Sequence, residues 1–193
     1  MDRPGLVAVG ASLGGLNALI AVLGRLPGTL AVPVGVVQHR AVDGDGRGLA
    51  ALLQEHTPLA VHEAEDKVEM APGSVYLAPA DYHLLVEAPG LLALSTDGPV
   101  RSARPSIDVL FETAADAYAG RLLAVLLTGA SADGAGGVAA VKARGGRVIV
   151  QDPASAESPA MPAAGLAAAA VDYVLPLDQI GRYVTSLVEG TRA

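Results

Sequence analysis

The sequence predicts an α/β fold: a doubly wound, mainly parallel sheet with an antiparallel edge hairpin, built as a single domain. Three observations carry this. Short β-branched or leucine-rich runs alternate with longer alanine-rich amphipathic stretches, the pattern of strands joined by crossover helices. A chain of 193 residues hides about 70% of its extended surface, enough for one core and cramped for two. Finally, 51% hydrophobic and 17% charged residues set the chain apart from disordered sequences.

Each element has a local reason. Leu6-Val7-Ala8-Val9 reads as a buried strand, and a helix over Gly15 to Leu23 follows its glycines. Pro33 to Val37 is a second strand ending at Gln38-His39. The segment Asp43 to Gly48 is Gly-rich and charged, hence a loop, and Leu49 to Glu55 is helical. Val75 to Leu77 is a strand; His83 to Glu87 and Leu91 to Ser95, joined by Ala88-Pro89-Gly90, form a hairpin. Apolar spacing at Ile107, Leu110, Phe111 and Ala114 marks a helix to Tyr118. Leu122 to Leu127 is the most apolar strand, the glycines of 129–137 make a loop, and Val138 to Arg144 is helical. Val148 to Val150 is a strand, 163–170 a helix, Tyr173 to Leu175 a strand, and a last helix starts at Asp178.

Composition excludes several classes. There is no cysteine, so no disulfide framework, thiol nucleophile or cysteine metal site. A net charge of −7 repels phosphate backbones and anionic lipid, so no nucleic-acid partner is expected. The first residues lack the basic and apolar regions of a signal peptide, and no apolar run is long enough to span a bilayer. A soluble, cytoplasmic protein without membrane insertion is expected.

Ligands of such sheets sit beyond the carboxyl ends of the strands, which directs attention to three residues. Gly10-Ala11-Ser12-Leu13-Gly14-Gly15 fits G-x-S-x-G, a sharp strand-to-helix turn that lifts a serine oxygen clear of the backbone beside unpaired helix N–H groups. Ser12 reads equally as a plain helix N-cap, and the hexapeptide alone leaves both open. His39 ends the second strand and Asp133 follows the most buried one. Alone, the first would be structural and the second a turn or cap residue. Each stands at the carboxyl end of a predicted parallel strand, so one crevice could hold all three, as the parts of an acyl-transfer triad: a nucleophile, a base, and a carboxylate that fixes the imidazole tautomer. Their order, Ser, His, Asp, differs from that of the α/β-hydrolases.

The sequence also resembles the catalytic domain of the chemotaxis receptor methylesterases, the CheB family. The resemblance runs from about Leu6 to Leu187 through GASLGG at 10–15, QH at 38–39, APGSVYLAPADYHLLVE at 71–87, RPSIDVLF at 104–111, LTGASADGAGG at 127–137, QDPASAESPAMP at 151–162 and VDYVLPL at 171–177. It implies a protein-glutamate methylesterase that needs no metal or organic cofactor and acts on methylated receptor helices or a related signalling protein. Deamidation of receptor glutamines belongs to the same family. Ser12 then takes the place of the nucleophile, His39 of the base and Asp133 of the carboxylate, with the N–H groups of Leu13 and Ala130 as oxyanion donors. Two positions depart from the family pattern. Ala130-Ser131 stands where Met-Gly is usual, and Arg40 where an apolar residue is common. Five residues precede the first strand, so the expected organisation is a catalytic domain over 1–193, with its core at about 6–187, and no receiver domain.

Other readings are weaker. A dinucleotide site would need glycine where Ser12 stands and an acidic residue where the second strand ends in Gln38-His39. Asp43 to Gly48 resembles a calcium loop, but Arg47 occupies a ligand position and Gln54 replaces the closing glutamate. His56, His62 and His83 lack zinc-ligand spacing and read as surface or hairpin residues. Ser131 lacks the following Gly-x-Gly of a nucleophile turn and is expected to shape its loop. A receptor-binding scaffold that keeps the fold without catalysis is the remaining alternative.

Overall fold

In the computed structural model, which describes residues 3–40 and 46–191, seven parallel strands form the central sheet. They are β1 (Leu6–Ala11), β2 (Val34–Gln38), β3 (Ala60–Glu63), β4 (Ser74–Leu77), β7 (Leu122–Leu126), β8 (Arg147–Gln151) and β9 (Tyr173–Leu175). The order is β3-β4-β2-β1-β7-β8-β9. The chain builds outward from β1 to one edge, then returns to β7 beside β1 and builds to the other. That reversal creates a crevice at the carboxyl ends of β1 and β7, where open α/β sheets bind ligands.

Alternation along the central strands explains two cores. Leu6 and Ala8 of β1, with Leu122, Ala124 and Leu126 of β7, face one side; Val7, Val9, Leu123 and Val125 face the other. The first side is covered by α3 (Ile107–Tyr118), α4 (Ala135–Ala143) and α5 (Ala160–Ala168), the second by α1 (Gly15–Leu23), α2 (Gly46–Gln54) and α6 (Leu177–Glu189). With both faces covered, the central strands read as continuous apolar runs.

The doubly wound, mainly parallel architecture agrees with the sequence, and local differences have physical causes. The hairpin, β5 (His83–Ala88) and β6 (Leu91–Ser95), pairs with no strand of the large sheet and packs on α3 instead. Strand β3 escaped sequence reading because this edge strand, Ala60-Val61-His62-Glu63, has a single β-branched residue and no residue that is fully buried. Helix α4 begins at Ala135, three residues before the expected start, since packing against Phe111 overrides the poor helix propensity of Gly136 and Gly137. Helix α5 starts at Ala160 because Pro162 falls in its first turn, where no N–H is needed. Asp43 to Asp45 of the calcium-like segment lie outside the described residues, and α2 opens at Gly46.

Candidate active site

Three neighbouring strands, β2, β1 and β7, deliver the three candidate residues. The β1–β2 pairing ends with Ala11 opposite Gln38 and is extended by the His39 N–H donating to the Ala11 carbonyl at 3.0 Å. Ser12 and His39 therefore leave the sheet side by side. Beyond β1, the Ser12 N–H donates to Thr128 O (3.0 Å) while Ser12 O accepts from Gly15 N (2.8 Å), closing a tight turn into α1. The cap of α1 is Gly14, at φ 76°, and no side chain caps the helix. The N-cap reading of Ser12 fails on this point. Its hydroxyl instead lies 3.1 Å from His39 Nδ1.

The other ring nitrogen of His39, Nε2, lies 2.7 Å from Asp133 Oδ2. Asp133 is fully buried, whereas His39 keeps 17% of its side chain exposed toward the crevice. Asp133 does act as a helix cap, but for α3 rather than for the helix that follows it. Its Oδ1 accepts from Ser106 Oγ (2.8 Å), Asp108 N (3.0 Å) and Gly134 N (3.0 Å), and its Oδ2 from Ile107 N (2.7 Å). Burial alone would raise the pKa of this carboxyl. The hydrogen bonds from His39, the Ile107 and Asp108 amides and Ser106 outweigh it and hold the pKa below the ordinary carboxylate value. An ionised carboxylate only accepts, so the imidazole proton sits on Nε2 and the Nδ1 lone pair faces the Ser12 hydroxyl. The ring is thus used in the reverse sense of the serine-protease triad, where Nε2 faces serine.

Two clefts meet at His39. One, of about 440 Å³, is lined by Ser12, Leu13, Gly14, Gln38, His39 and Glu157. The other, of about 470 Å³, is lined by His39, Arg40, Asp81, Ser102, Arg104 and Pro105. The Leu13 side chain is 56% exposed at the first cleft. The N–H groups of Leu13 and Ala130 make no backbone hydrogen bond among the described residues, while Thr128 Oγ1 holds the Leu13 carbonyl at 2.9 Å. Arg40 is ion-paired with Glu63 at 2.7 Å and so ties the end of β2 to β3. Ser131 shapes its own loop, its hydroxyl accepting from Asp133 N at 3.3 Å.

The family model described as CheB methylesterase matches residues 7–184. The chain belongs to the CheB methylesterase family. A putative protein-glutamate methylesterase/protein-glutamine glutaminase of Leptospira interrogans is 42% identical to it over 174 residues, 90% of each chain. The protein-glutamate methylesterase FrzG of Myxococcus xanthus is 42% identical over 184 residues, 95% of this chain but 55% of that protein. The crystal structure of the Thermotoga maritima CheB methylesterase catalytic domain superposes with a TM-score of 0.91 at 35% identity, covering 97% of this chain and all of that one. This CheB-family chain therefore spans nearly all of one relative and about half of another.

Some parts of the site escaped sequence reasoning. Ser106 and the first turn of α3, which hold the carboxylate, were legible only as a serine directly before an amphipathic helix; a helix N-terminus attracts an anion from anywhere in the chain. His83 lies in the hairpin strand β5, one of the two places expected for it, and is buried there rather than at the surface. Its Nδ1 accepts from Ser106 N and its Nε2–H donates to Gly98 O, both at 3.2 Å. His56 and His62 are exposed. Among the described residues no helix is long and apolar enough to cross a membrane.

Proposed function

We propose that this protein is a serine carboxyl-ester hydrolase that removes the γ-methyl ester from modified glutamates on chemotaxis receptor helices, working in the cytoplasm. The observation that carries the reading is the continuous hydrogen-bond chain from the Ser12 hydroxyl through His39 to the buried Asp133, at the switch point of the sheet. Ser12 Oγ attacks the ester carbonyl as its proton passes to His39 Nδ1. The oxyanion is met by the Leu13 and Ala130 N–H groups. The same proton then goes to the departing methoxide, releasing methanol and leaving a glutamyl ester on Ser12. Water gives a proton to Nδ1, attacks the acyl carbon, and the collapse returns free glutamate and the serine hydroxyl. Asp133 keeps the imidazole oriented and stabilises its charged form. No metal or organic cofactor enters these steps. Deamidation of a glutamine follows the same path, with ammonia leaving in place of methanol.

The test is incubation with methylated receptor cytoplasmic fragments and measurement of methanol release, alongside labelling by an organophosphonate. One adduct, at Ser12, with methanol release is the expected result. Activity on a simple ester without methanol from several receptors would remove the receptor assignment and keep the chemistry. Labelling at Ser131 would overturn the choice of serine. Turnover of an activated ester separates the hydrolase from a receptor-binding domain of the same fold.

A further inference from the structure

Gln38 has no part in the steps above, yet its side chain bridges the two residues that begin them. It is the last residue of β2 and is 9% exposed. Its Nε2 donates to the Ser12 carbonyl at 2.8 Å and to the His39 carbonyl at 2.9 Å, which uses both protons of the amide. The β1–β2 ladder has run out at this point, its last bond being His39 N to Ala11 O. The Gln38 amide takes over where the two chains begin to diverge.

The other end of the amide shows what this geometry demands. Gln38 Oε1 is buried and has no hydrogen-bond partner among the described residues. It lies against Gly15, where a Cβ would sit 2.0 Å from that oxygen and 2.9 Å from the Ala11 Cβ. The second glycine of the Ser12 turn is thus required by Gln38, which links two motifs more than twenty residues apart in the chain. A buried acceptor without a donor is uncommon and calls for an explanation. An apolar side chain would fill the site without leaving one, and glutamate would present no proton to either carbonyl. What glutamine supplies here is two donors 2.8 and 2.9 Å from the main-chain carbonyls of the two residues whose side chains meet.

We infer that Gln38 is a positioning residue that locks the Ser12 turn to the end of the His39 strand and thereby sets the approach of the hydroxyl to Nδ1. The inference rests on the roles of nucleophile and base proposed for Ser12 and His39. A displacement of the order of an ångström between reacting groups costs about a hundredfold in rate, so the clamp acts on kcat and leaves substrate binding alone.

The test compares the full chain with Gln38→Met, which fills the same volume without donors, and with Gln38→Asn, whose amide is one methylene too short to reach both carbonyls. Measurements are made well below the unfolding transition of each variant. Kcat and the rate of phosphonate addition are expected to fall together, by about 10- to 100-fold, with KM changed less than about twofold. A second readout needs no turnover: the low-field proton resonance of His39 Nε2–H bonded to Asp133 should exchange faster with water in both variants. Unchanged rates and unchanged exchange, even alongside a lowered melting temperature, would overturn the proposal and leave Gln38 a purely structural residue. If the wild-type protein proves inert to phosphonate, the nucleophile reading fails; an unaltered imidazole proton in both variants would then overturn the clamp as well, and a faster-exchanging one would uphold it. Either variant alone suffices if the other does not fold.

Discussion

Replacement of Ser12 by alanine is expected to remove ester turnover and phosphonate labelling together, lowering kcat by at least about a thousandfold, or about 4 kcal/mol of transition-state stabilisation. The loss should be purely catalytic. Among the described residues the Ser12 hydroxyl has one hydrogen bond, to His39, and it does not cap α1, whose N-cap is Gly14. The turn is held by main-chain bonds from Ser12 N to Thr128 O and from Gly15 N to Ser12 O, which alanine keeps. Stability should therefore change by less than about 1 kcal/mol. The N–H groups proposed to meet the oxyanion also survive, but they cannot form an acyl-enzyme. Ser131→Ala is the matched control: its hydroxyl only supports the Asp133 amide at 3.3 Å, so labelling at Ser12 should persist. A folded Ser12→Ala protein that still releases methanol from receptor fragments would refute the role of Ser12.

That Ser12, His39 and Asp133 would come together was legible in the sequence for a shared reason. Each follows a short, strongly apolar strand, and a parallel sheet brings such strand ends to one edge whatever the sequence distance between them. What the sequence withheld depends on contacts between segments. The cap reading of Ser12 was open until the α1 terminus was seen to be closed by Gly14. Asp133 gave no sign that it would cap a helix beginning 26 residues earlier, since a carboxylate and a helix start advertise no particular partner. His83 looked like any polar hairpin residue, and its bonds to Gly98 and Ser106 join segments whose approach is set by tertiary packing. Arg40 was visible as a departure from the resemblance, but its partner Glu63 lies on β3, an edge strand with too little apolar content to read. Local pattern thus located the three candidate residues, while the supporting hydrogen bonds came from tertiary packing.

Asp133→Asn is expected to lower kcat by roughly three to four orders of magnitude and, against the expectation for a conservative exchange at a turn, to destabilise the fold. Both carboxylate oxygens accept from main-chain N–H groups: Oδ2 from Ile107, Oδ1 from Asp108 and Gly134. Either orientation of an asparagine amide therefore points its NH₂ at a buried donor. With NH₂ in the Oδ2 place, it opposes Ile107 N–H and presents a donor to His39 Nε2. The imidazole proton is then driven to Nδ1, the tautomer that cannot accept from Ser12. With NH₂ in the Oδ1 place, the tautomer is kept but the Asp108 and Gly134 amides lose their acceptor. Each buried N–H left unsatisfied costs about 1–3 kcal/mol. The sign with pH follows from the lowered pKa of Asp133 in the folded protein. Its stabilisation is fully present above the unfolded carboxyl value of about 3.9 and is lost as pH falls through the lower folded value. Denaturant unfolding should show the largest gap between wild type and Asp133→Asn at neutral pH, narrowing below about pH 4. A gap that stays constant from neutrality to well below that pH would mean that the carboxylate charge at Asp133 is not what holds the start of α3.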